Sequence, residues 1–150
     1  MAPARLGKIA LGAMLLVALA YVIIGVGFPV LAGSTDATVV RLWRLAAWAA
    51  SAAVAAVHIA YEHYRLGSSP RATALHAAGA VALGAFGLAL AANVHWLLAG
   101  PPGQHAPLLA LPVWPVITAV PAFLAALAVA TVLAMLHKPG TPPSRAPRLR

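Results

Sequence analysis

Four long apolar stretches run through this chain, separated by short clusters of Gly, Pro and polar residues. The first, Ile9 to Leu31, follows the basic leader Met1 to Lys8. It is longer than the roughly 7–15 residues of a secretory signal core. At about 1.5 Å per residue it can cross a hydrocarbon layer of about 30 Å, so it predicts a first transmembrane helix rather than a cleaved signal. Pro29 and the cluster Ala32-Gly33-Ser34-Thr35-Asp36 are expected to break that helix and make a short connection.

The second stretch covers about Thr38 to Arg65, and the third about Arg71 to Leu98. Leu66 to Pro70 is the turn between them, with Ser68 or Ser69 available as an N-cap and Pro70 near the first helical position. Gly100 to Pro107 cannot continue a helix. The fourth stretch reaches from about Leu108 or Pro115 to His137, and Pro112, Pro115 and Pro121 are expected to leave its first half irregular or kinked. From Lys138 the composition turns to Pro, Ser, Thr and Arg, which predicts a disordered basic tail over 138–150.

Periodicity within the stretches predicts faces. Arg41, Arg44, Trp48, Ser51, Ala55, His58, Glu62 and Arg65 follow steps of three and four, tracing one polar stripe along the second helix. Charge in hydrocarbon costs about 2.5–3.5 kcal/mol per residue on the lenient scale, so this stripe is expected to face other helices or a wet cleft. On the third helix, Ala80, Gly84, Gly87 and Ala91 share a small-residue arc with His76 and His95. Such a face allows close helix approach, and spans two and three are expected to form a tightly packed hairpin.

The reading is an all-α integral membrane four-helix bundle. Residues 1–137 form one transmembrane domain with spans at about 9–31, 38–65, 71–98 and 108–137. Composition agrees, since 63% of the 150 residues are apolar and only 8% charged, against about 25% charged in soluble domains. The absence of cysteine excludes disulfides, thiolate zinc and iron–sulfur sites. The net charge of +8 does not point to nucleic acid, because no basic face interleaved with aromatics is visible. Instead Arg5, Lys8, Arg65, Arg71, Lys138, Arg145, Arg148 and Arg150 fall on one side of the four-span arrangement. By the positive-inside rule that side is the cytoplasm, with both termini there, in a bacterial-type inner membrane. Trp43, Trp96 and Trp114 mark the outer interface, and Tyr61 and Tyr64 the inner one.

Candidate chemistry concentrates around the second turn. His58 lies nine residues before Gly67 and His76 nine after it, so an antiparallel hairpin puts both imidazoles at one depth, with Glu62 one helical turn from His58. His137 of the fourth span reaches the same side. His58, Glu62 and His76 are a usable ligand set for a transition metal. His58, His76 and His137 are the candidate ligands for haem b, His58 with His137 being the better axial pair because adjacent helices only about 8–10 Å apart crowd a porphyrin. In the plainer reading Glu62 pairs with Arg65 or Arg71 and the histidines bond to carbonyls. A second polar group, Arg41, Arg44, Asn93 and His95, is expected at the outer face.

Gly-rich phosphate loops, nucleophile elbows and H-E-x-x-H zinc motifs are absent from the sequence. With no complete catalytic set, the leading reading is a non-enzymatic accessory or packing subunit whose small-residue face on the third span docks onto another helix. Its partners would be the lipid bilayer together with another membrane protein or further copies of the chain. A haem or metal-binding redox protein is the first alternative, and a proton-coupled carrier titrating at Glu62 the second.

Overall fold

The computed structural model of the chain describes residues 3–33, 36–99 and 108–136. They form four α-helices, α1 (Pro3–Ala32), α2 (Ala37–Tyr64), α3 (Pro70–Ala99) and α4 (Ala110–Leu136), with no strand among the described residues. Each is long and apolar enough to cross a membrane. The chain is therefore an all-α, multi-pass membrane protein. With four crossings, the start of α1, the α2–α3 turn and the end of α4 lie at one face. The 100–107 loop, His137 and the 138–150 tail are outside the described residues.

Side chains are distributed as lipid requires. The buried apolar residues are Ala10, Ala18, Ala74, Ala77, Ala80, Ala85, Ala89, Ala126 and Ala130, with Ile59 the only larger one among the described residues. Leucines such as Leu16, Leu98 and Leu136 point outward. Hydrocarbon solvates leucine as well as protein does, so helices associate here by close approach rather than by hiding their largest side chains.

That approach centres on α3. Its most extensive interface is with α4, and it packs broadly on α1 as well. A Cβ added at Gly84 would stand 2.8 Å from the Tyr21 Cβ and 3.3 Å from the Ala18 carbonyl, and one at Gly87 would stand 2.7 Å from Val22 Cγ2. Conversely, a Cβ on Gly25 of α1 would meet Leu88 at 2.5 Å. The small face of α3 is thus filled by α1 of the same chain. Nearer the turn, Ala74 and Ala77 cluster with Ile59 of α2 and with Ala126 and Ala130 of α4.

The expected tight α2–α3 hairpin is not formed. Helix α2 packs mainly on α1 and touches α3 and α4 only lightly, and its buried residues are His58, Ile59 and Glu62, all near the turn. The reason is competition: α1 and α4 occupy the sides of α3 that accept a close neighbour. At its other end α2 leans on α1, where Trp43 meets Phe28 edge-on at 5.6 Å.

Pro29 does not break its helix as expected; the break comes after Ala32. Helix α1 continues through Pro29, and α4 is continuous through Pro115 and Pro121. Proline removes one backbone bond and costs most in a lone helix, whereas neighbouring helices and hydroxyl side chains can support the freed groups in a membrane. Thr118, between the two prolines of α4, donates to the carbonyls of Trp114 at 2.8 Å and Pro115 at 3.2 Å, which are not the carbonyls of Leu111 and Ile117 that Pro115 and Pro121 leave without a donor.

Helix ends are set by caps. Asp36 Oδ1 accepts from the Thr38 N–H at 2.7 Å and the Val39 N–H at 3.2 Å, two donors that a first helical turn leaves unpaired. Ser69 caps α3, its hydroxyl accepting from the Ala72 N–H at 3.3 Å, with Pro70 at the first helical position. Between these helices Gly67 adopts φ +61°, a left-handed conformation that other residues enter at a cost of about 1–2 kcal/mol.

Two outcomes test this packing. Gly84→Ala should destabilise the protein by about 1–3 kcal/mol through overpacking against Tyr21. Gly27→Ala, where nothing lies within 4 Å of the added carbon, should be neutral or stabilising by up to about 1 kcal/mol, both read from thermal unfolding in detergent. The backbone N–H bonds from Val39 and Thr38 hold the Asp36 carboxyl below its usual range. Its stabilising effect is therefore complete at neutral pH and disappears as pH falls through that lowered value. Helicity followed against pH should show this acid loss in the wild type and not in Asp36→Asn.

Candidate functional site

Glu62 lies in the last turn of α2 and has no exposed surface. Both of its carboxylate oxygens are engaged: Ser68 Oγ donates to Oε2 at 2.6 Å, and His76 Nδ1 lies 3.1 Å from Oε1. A carboxylate offers only acceptors, so the His76 contact needs its proton on Nδ1. The 2.6 Å separation is in the range of a charge-assisted O–H···O⁻ bond.

The turn builds this arrangement. With Gly67 left-handed, the chain doubles back and the Ser68 N–H donates to the Glu62 carbonyl at 3.1 Å. Ser68 therefore grips both the backbone and the side chain of Glu62. Ser69 and Pro70 then start α3, and His76 arrives on the facing side less than two turns later. Its side chain is 36% exposed, so the cluster has one edge open to its surroundings.

Deeper in, the polar groups lose their partners. His58 is one turn before Glu62 on the same face and is only 3% exposed, while Thr73 is fully buried on α3. His58 Nε2 and Thr73 Oγ1 have no hydrogen-bond partner among the described residues. Beside them the wall is apolar, formed by Ile59, Ala74, Ala77, Ala126 and Ala130 with Phe123, Leu127 and Leu133.

These positions revise the sequence expectations. Glu62 pairs with His76 and Ser68, while Arg65 and Arg71 are exposed. The arginines sit on the outside of the turn, and the carboxylate points inward. His58, Glu62 and His76 do not form a metal cage: among the described residues no three His, Asp or Glu side chains are placed to hold an ion. For haem, His76 Nδ1 is engaged by Glu62 and His137 is outside the described residues. Ser68 appears in the sequence only as a capping candidate. The sign of its second role is its position next to Gly67, since a left-handed residue reverses the chain toward the preceding helix.

The outer group has a different character. Arg41, Arg44 and His95 are exposed, whereas Asn93 is buried and donates from Nδ2 to the Ala89 carbonyl at 2.8 Å. Arg44 lines a cleft between α1 and α2 with Phe28, Pro29 and Trp43. On α3, Ala80 and Gly84 are buried and Gly87 and Ala91 half-buried. Comparison with protein families, curated proteins and solved structures finds no match to the chain.

If the cluster holds α2 to the bundle, Glu62→Ala should cost about 3 kcal/mol, the lower end for a broken buried pair because His76 is partly exposed. Ser68→Ala should cost about 1.5–3 kcal/mol for a bond to a charged group. Arg65→Ala and Arg71→Ala should stay within about 0.5 kcal/mol of wild type. Thermal or denaturant unfolding in a fixed detergent separates these outcomes.

Proposed function

We propose that this chain is a non-enzymatic accessory subunit that assembles with another membrane protein through the outer half of α2, its Gly67 face lying in the cytoplasm of a bacterial-type inner membrane. One observation carries the reading: α2 has the lowest mean hydropathy of the four helices, yet from Arg41 to Val57 it is largely exposed. A lone bundle would turn its least oily helix inward, because polar groups in lipid are costly and inward-facing ones are cheap.

The exposed face has the features of a helix contact. Ala49, Ala52, Ala53 and Ala56 are all exposed and fall within about 100° of arc at 100° per residue. Small residues in this arrangement admit a second helix closely. Trp48 flanks them, 77% exposed, and Arg41 lies on that flank toward the outer interface, while Arg44 is turned toward the cleft with α1. The small face of α3, by contrast, is already filled by α1.

Charge favours a foreign partner over a second copy. The chain carries ten Lys and Arg against two acids, so self-association through this face would bring the Arg41 side chains of two copies together with no carboxylate to pair them. A partner helix with carboxylates or acidic loops at the outer interface would pair with them, and Arg–carboxylate bonding is strong and directional. The alternatives of haem b or a transition metal gain no support from the His58, Glu62 and His76 geometry.

Crosslinking in the membranes of the source cell tests the proposal. The wild type should give a heteromeric product, with Ala52→Trp abolishing it and Arg41→Glu with Arg44→Glu weakening it at least tenfold. Leu124→Ala on the lipid face of α4 should leave it unchanged. A homodimer, or a heteromer insensitive to the α2 substitutions, would overturn the assignment.

A further inference from the structure

We infer that Glu62 and His76 form a binding site for a single proton, loaded from the Gly67 face, with His58 as a buried neighbour that responds to its charge. This goes beyond the proposed assembly role and does not depend on it. The site has three parts in line: His76 partly exposed, Glu62 wholly buried and His58 one helical turn deeper with Nε2 unpartnered.

The transfer balances within the pair. His76 takes a proton from water on its exposed Nε2 and becomes an imidazolium. The Nδ1–H bond can then break toward Glu62 Oε1, 3.1 Å away, forming a carboxylic acid and leaving a neutral imidazole protonated on Nε2. In either tautomer the loaded pair is neutral. Unloaded, it is a neutral imidazole beside a carboxylate with no exposed surface, so the proton decides whether the end of α2 holds one buried negative charge or none.

The surroundings make this a site rather than a path. On α2 the polar stripe beyond His58 continues with Ala55, Ser51 and Trp48, and His63, about 100° around the helix from Glu62, meets Tyr64 edge-on. On α3 the nearby charged group is Arg71, exposed in the first turn. The α4 wall has no titratable group among the described residues. On α1 the titratable groups with described side chains are the exposed Lys8 and Tyr21, which faces Gly84. A proton reaching Glu62 therefore meets His58 and no further acid or imidazole along the stripe.

The chain offers an unusually clean test, because Glu62 is its single glutamate. Glutamate carrying carbon-13 at Cδ, incorporated into the full chain in lipid nanodiscs, reports this one carboxyl by NMR without any substitution. The label should titrate reversibly while the protein stays folded. His76→Ala should tighten proton binding by about tenfold or more, since the carboxylate loses a hydrogen-bond donor that favours its charged form. His58→Gln should move the midpoint too, by less, while Arg71→Gln should leave it unchanged. His76→Gln, which can restore an N–H donor, should return part of the wild-type midpoint. A label that never titrates in the folded range, or a midpoint indifferent to both His76 substitutions, would overturn the proposal.

Discussion

A carboxylate with no exposed surface must be surrounded by donors, because an unpaired charge in a low-dielectric interior costs several kcal/mol. Glu62 obtains its donors from Ser68 and His76, two residues brought to it by the reversal at Gly67. The position of α2 follows from this one requirement. Over its outer half the helix rests on α1, and near the turn the polar cluster and Ile59 hold it against α3 and α4.

The rest of the bundle is shaped by the solvent. In water a core of alanines would be poor, since each buries little area. In lipid, area gives no incentive, and dispersion contacts between closely approaching backbones take over. Glycines of α3 opposite Tyr21 and Val22 of α1, with alanines of α3 opposite those of α4, give α3 two close neighbours. Having both, it has little room for a third, which is why its partner in sequence, α2, is not its main partner in space.

The two ends of α2 consequently have different roles. Its inner end is fixed by charge-assisted bonds and holds the one buried acid. Its outer half displays arginines, a tryptophan and an alanine face to the membrane. A rigid inner end positions the outer half for a partner, and any change of charge at Glu62 acts at the point where α2 is anchored.

Sequence alone determined the solvent and the crossings. Apolar length, scarcity of charge and the punctuation by Gly and Pro are local properties, so four spans and the Ser69–Pro70 start of α3 were legible without coordinates. Equal spacing about Gly67 drew attention to His58 and His76, with Glu62 one turn from His58, but counting did not show that His76 would meet Glu62 rather than His58. Counting cannot give rotation or preference among neighbours. That Glu62 turns inward to His76 and Ser68 rather than outward to Arg65, that the glycine face of α3 takes α1, and that α2 is left half in lipid are outcomes of competition for the same surfaces. Only the tertiary structure decided them, since each depends on the shapes of helices far apart in the chain.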